Sequence, residues 1–169
     1  MHTLKKTVYV ETTIPSYATA KPSMDILSAN RQAITKLFWE YEKDKYKLYI
    51  SQFVFDECKQ GNPEAAKRRL DFIKDIPLIP DKSSTANLAN EYFNYLNIPE
   101  RAKTDCFHLA VCVEAKLDYL LTWNCSHLGV EAYAKIYEYN NKKGIWIPEL
   151  VTPEMLIQYE RDKQNELQP

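Results

Sequence analysis

The segment KTDCFHLAVCVEAKLDYLLTWN, residues 103–124, decides the fold. Thr104 stands where a helix N-cap is expected, and Cys106, Leu109, Ala110, Val113 and Leu117 then recur on one helical face. DYLLTW follows as a short apolar strand. Asp105 sits at the start of that helix and the polar TWN step at the end of that strand, so two distant side chains are expected to meet at one sheet edge.

Outward from this segment, strands and helices alternate. TVYVE, residues 7–11, is a β-branched run that ends at an acid and is bounded by Pro15. Residues 25–44 place Ile26, Leu27, Ile34, Leu37, Phe38 and Tyr41 at helical spacing with charges between them. KLYIS, 47–51, is the second strand, and SQFVFDECKQ is a short helix with Ser51 as N-cap, stopped at Gly61. Pro63 opens the next helix, PEAAKRRLDFIKD, at the first position, where a missing N–H costs nothing. IPLIP, 76–80, is a third strand, and residues 83–96 form a helix capped by Ser83 or Ser84. Beyond residue 124 the pattern predicts a helix over 131–139, a fifth strand at GIWIP, 144–148, and a last helix begun by Thr152 and Pro153.

This alternation implies parallel strands joined by right-handed crossovers, hence a three-layer α/β/α sandwich around a central parallel sheet of about five strands. A chain of 169 residues suits a single domain over 1–169, burying ~68–70% of its unfolded surface. Three glycines and nine prolines leave no low-complexity linker.

Charge and composition exclude several classes. A net charge of −1 rules out nucleic-acid binding by bulk charge, so any such binding is local. No apolar run approaches the ~18 residues of a membrane span, and a cytoplasmic location is expected. Cys58, Cys106, Cys112 and Cys125 form no CxxC pair and read as buried or incidental thiols in a reducing compartment. Neither a GxxxxGK nor a GxGxxG loop occurs, and the first strand ends in ETT where an aspartyl-phosphate enzyme needs a nucleophilic aspartate.

In parallel sheets ligands bind beyond the carboxyl ends of the strands, which selects the polar residues that matter. Glu11 ends the first strand, Thr122 and Asn124 lie at or past the end of the fourth, and Asp105 and Glu57 lie on helices that could point them to the same edge. Glu57 is favoured over Asp56 because it continues the helical face of Ser51 and Val54. Oxygen-bearing side chains from four segments suit a hard cation such as Mg²⁺ or Mn²⁺. Such an ion would activate water for phosphodiester attack.

At these residues the chain resembles the PIN domain family, and within it the VapC-like ribonuclease toxins. The resemblance rests on VYVETT, SQFVFDEC, KTDCFHLAVCVEAKLDYLLTWN and LVTPEML, the last matching a terminal strand-and-helix step, and it spans nearly the full length. It implies a PIN-like fold and a Mg²⁺- or Mn²⁺-dependent endoribonuclease, with Glu11, Glu57, Asp105 and Asn124 as its four catalytic and metal positions. Thr12 and Thr122 then support the ligands from behind. Arg101 and Lys103, just before Asp105, become candidate phosphate contacts. The family also implies an RNA substrate, a neutralising antitoxin protein and a homodimer. Two positions depart from its pattern: Glu11 stands where aspartate is usual and reaches one bond, roughly 1.5 Å, farther, and Asn124 replaces an acid with an amide. His108 and His127, lacking a partner spacing such as HExxH, read as polar packing residues.

Overall fold

A computed structural model of the protein describes residues 4–80, 82–124 and 130–166. In chain order the elements are β1 (Thr7–Val10), α1 (Thr13–Thr19), α2 (Ile26–Tyr41), β2 (Lys47–Ser51), α3 (Gln52–Cys58), α4 (Pro63–Ile73), β3 (Leu78–Ile79), α5 (Ser83–Leu96), α6 (Lys103–Glu114), β4 (Tyr119–Leu121), α7 (Val130–Lys143), β5 (Glu149–Val151) and α8 (Pro153–Glu166). Single 3₁₀ turns precede β2 and α6.

All strand pairs are parallel, in the order β3-β2-β1-β4-β5. β1 is central, and its Val8, Tyr9 and Val10 are fully buried, which explains why TVYV is continuously apolar rather than alternating. Connections from β1 to β2 to β3 step one way along the sheet, and those from β3 to β4 to β5 step the other. With right-handed crossovers the two sets of helices lie on opposite faces. The packing agrees: α1 touches α2 and α4, and α2 touches α8, whereas α5 packs on α6 and α7. The architecture is the PIN-like α/β/α sandwich expected, and its topological switch falls between β1 and β4.

Local chemistry accounts for most boundaries. Asp25, Ser51 and Asn62 each accept a backbone N–H three residues on, from Ser28, Val54 and Ala65, and so cap α2, α3 and α4. At the opposite end of the sheet from the strand termini, Asp118 accepts from Thr7 N, Thr7 Oγ1 and Lys6 Nζ at 2.7–2.9 Å and fixes β4 against β1.

Four expectations need correction. Thr104 does not cap α6: the 3₁₀ turn Glu100–Ala102 runs straight into the helix, so Ala102 takes the cap position and Thr104 lies in the first turn. α5 likewise starts at Ser83 itself, with Lys82 before it and no side-chain cap. Pro15 does not merely bound the first strand; it lies in the first turn of α1, where no N–H is required, so a helix forms that the sequence pattern missed. The fifth strand is not GIWIP but Glu149–Val151. Gly144, at φ 64°, ends α7, and Ile145 N and the Trp146 carbonyl bond to Asn140, holding residues 144–148 as a loop against that helix.

No described helix is long and apolar enough to cross a membrane. Cys58, Cys106 and Cys112 are free and buried, and burial pushes the Cys58 and Cys106 thiols up to about 11 and about 12. Cys125 and His127 lie outside the described residues.

Candidate metal centre

The carboxyl ends of β1, β4 and β5 are level, because Glu11 N donates to Leu121 O and Thr122 N to Val151 O. Past them the polar residues gather. Glu11 is 6% exposed, and its Oε2 accepts from Thr122 Oγ1 at 2.7 Å, Thr13 Oγ1 at 2.5 Å and Thr13 N at 3.0 Å. Three donors on one oxygen hold this buried carboxylate in one orientation.

Glu57 comes from α3, the neighbouring crossover. It turns inward, while Asp56 turns out to Lys59 and Gln52. Its Oε2 accepts from Thr12 Oγ1 and lies 3.0 Å from His108 Nε2. Burial works against its charge, but the His108 bond, the His108 charge and the Thr12 hydroxyl together hold Glu57 below the usual carboxylate range.

His108 is the residue that sequence reasoning placed among packing side chains. It is 1% exposed and faces the acids, with Nε2 also 3.9 Å from Glu11 Oε1. Burial is the largest influence on it and disfavours the imidazolium, yet the Glu57 bond and the charges of Glu11, Glu57 and Asp105 raise it above its ordinary value. Its signal was the three-residue spacing from Asp105 on one helix; the partner on α3 was invisible to that pattern.

Asp105, 6% exposed, is bonded by Asn124 Nδ2 at 2.6 Å, and Asn124 N in turn donates to Thr122 Oγ1 at 2.9 Å. A continuous path therefore runs from Asp105 through Asn124 and Thr122 to Glu11. Thr13 was missed because α1 was missed; it also accepts from Trp123 N at 2.9 Å, tying the TWN step to the start of α1. Lys103 is exposed, 3.5 Å from Glu100 and 5.5 Å over the Phe93 ring. The side chain of Arg101 lies outside the described part of the structure.

Among the described residues, ligand atoms of Glu11, Glu57 and His108 all lie within 4.8 Å of one another. Two carboxylates and an imidazole, mostly buried, at the switch point of a parallel sheet form a cluster that could hold a divalent cation. Asp105 stands one helical turn from His108 and outside that tight group.

No protein-family model and no curated protein matches the sequence. Among solved structures, the crystal structure of VapBC2 from Rickettsia felis bound to a DNA fragment from their promoter matches with a TM-score of 0.50 at 17% identity, over 86% of this chain and 98% of that one. At that identity the likeness speaks to fold.

Proposed function

We propose that this chain is a Mg²⁺- or Mn²⁺-dependent endoribonuclease of the PIN, VapC-like kind, the toxin of a toxin–antitoxin pair. The observation that carries this reading is that Glu11 and Glu57 bring carboxylate oxygens within 4.8 Å of each other at the carboxyl edge of the sheet, beside the Asp105–Asn124 pair. The fold likeness to VapBC2 supports it.

In this reading Glu11, Glu57 and Asp105 hold the ion, and Asn124 offers a neutral oxygen in place of a fourth acid. A bound cation supplies water activation and offsets phosphate charge. The chain does the positioning. Thr122 and Thr13 fix the Glu11 carboxylate, Thr12 fixes that of Glu57, and Asn124 fixes that of Asp105. Lys103 and Arg101, leading into α6, meet the RNA backbone. An antitoxin would neutralise the chain by covering this edge, and a homodimer and a cytoplasmic setting follow from the same reading.

The test is cleavage of structured RNA by purified protein with Mn²⁺. The expected result is cleavage that EDTA removes and that Asp105→Asn lowers by 100-fold or more, about 2.7 kcal/mol of barrier. A second reading has its own observation: the acids are already compensated by internal donors, Glu11 by three of them, as suits a PIN-fold binding module without catalysis. Undiminished RNA binding with no cleavage of any RNA under Mn²⁺ favours that module.

A further inference from the structure

His108 links two sets of contacts. Nε2 lies 3.0 Å from Glu57 Oε2, and Nδ1 lies 2.9 Å from the Tyr9 hydroxyl, which is itself 2.8 Å from Ser51 Oγ. Ser51 Oγ also accepts the N–H of Val54 at 3.3 Å, the capping bond of α3. Tyr9 and Ser51 are both buried, and Tyr9 lies two residues before Glu11, so the strand's period of two aims both at the same face. Phe53 and Tyr9 flank the imidazole, with ring centroids at 5.1 and 5.7 Å.

We propose that the Val54–Ser51–Tyr9 relay fixes His108 as a hydrogen-bond donor to Glu57, so that His108 is a positioning residue and the carboxylates alone take the cation. Proton accounting carries this. A backbone N–H only donates, so Ser51 Oγ accepts from Val54 and has its own proton left to give. Within its two contacts that proton can go only to Tyr9 Oη. Tyr9 then gives its proton to Nδ1, which must be bare, and the ring proton sits on Nε2, facing the Glu57 carboxylate.

The reverse arrangement fails at both ends. It strands the Ser51 proton in a site 1% exposed, and in a neutral ring it sets a bare Nε2 against a carboxylate oxygen 3.0 Å away. The relay belongs to the neutral ring: a charged ring would carry a proton on Nδ1 as well and break the relay there, while still presenting Nε2 to Glu57 as a donor. Donation by Nε2 leaves it no lone pair for a metal. The consequence for metal binding rests on the nuclease reading; the proton placement does not.

The experiment has two arms. In metal-free ¹⁵N-labelled protein, long-range ¹H–¹⁵N correlation of the imidazoles reads which nitrogen is protonated, the three histidines being assigned with His108→Gln. The expected result is a proton on Nε2 of His108; a bare Nε2 overturns the proposal. Tyr9→Phe, which removes the proton given to Nδ1, should shift the ring's tautomer balance, and an unchanged ring overturns the relay.

The second arm is Mn²⁺ titration calorimetry. His108→Ala should weaken binding by about 10–100-fold, and His108→Gln, which keeps a donor for Glu57 but offers no ring nitrogen, should restore it to within about threefold of the natural protein. If glutamine fails as alanine does, or if alanine costs nothing, His108 does not position Glu57. A natural protein that binds no Mn²⁺ defeats the nuclease reading instead, while the spectrum still decides the proton.

Discussion

Asn124 gives its amide proton to Asp105 at 2.6 Å, a bond that an acid at position 124, the residue the nuclease reading would expect there, could not make. With an acid there, two carboxylates would face each other in place of this bond, a repulsion that a bound cation would relieve. Asn124→Asp should therefore lower the stability of metal-free protein by about 1–3 kcal/mol, from the lost bond and the new repulsion, and should make stability depend on Mn²⁺. Thermal denaturation with and without Mn²⁺ reads the first effect. Calorimetry reads the second, with one firmly held ion in the natural protein and two in the variant; a variant of unchanged stability and stoichiometry would show that position 124 does not govern the ion count.

Among the elements, β4 and its register to β1 matter most, because they bring Glu11 and Asn124 to the same level. That register is held at the far end of the sheet by Asp118. Burial opposes the Asp118 charge, but Lys6 and the two donors of Thr7 outweigh it and hold its carboxyl below the usual range. A depressed folded value means that the stabilisation is present above the unfolded value, about pH 4, and is lost as pH falls through the folded one. Asp118→Asn should flatten the fall of stability with acid below about pH 4, and Asp118→Ala should cost about 2–3 kcal/mol at pH 7, both read by urea unfolding across pH. An unaltered acid limb in the asparagine variant would place the register elsewhere. Elements of this kind were legible in sequence where their signal was local: Ser51 capping α3, Pro63 opening α4, and Thr152 with Pro153 opening α8 all follow from side-chain chemistry within three residues. The misses share a different cause. GIWIP has the residues of a strand, but Asn140 and Gly144 hold it to α7 through contacts that periodicity does not register, while ELV, with a charged first residue, pairs with β4 because Glu149 N reaches Asp118 O. At the edge itself, chain order placed Glu11 and Asn124 near the strand ends, whereas the partnership of His108 with Glu57 joins residues 51 positions apart and existed only once α3 and α6 were packed.

At the scale of the whole molecule, the connections step one way along the parallel sheet from β1 and the other way from β3 to β4, so the switch falls between β1 and β4, and Glu11 and Asn124 lie just past the carboxyl ends of those two strands. The chain carries a net charge of −1, and the cations closest in sequence to Asp105 are Arg101 and Lys103, the second 3.5 Å from Glu100. An RNA held here therefore meets about two or three neutralising contacts rather than a basic groove. For single strands the logarithm of affinity falls with the logarithm of salt by about 0.7 per phosphate neutralised, a slope of about −1.4 to −2.1, so raising salt from about 50 to 200 mM should weaken binding by only about tenfold. Proteins making 6–10 contacts lose roughly 10³–10⁵ over the same range. Fluorescence anisotropy of labelled RNA with the Asp105→Asn variant, which keeps the strand intact, measures the slope. Lys103→Ala should reduce its magnitude by about 0.7 if that ammonium meets a phosphate, and a slope of −4 or steeper in the unaltered background would place the main binding surface away from the acidic edge.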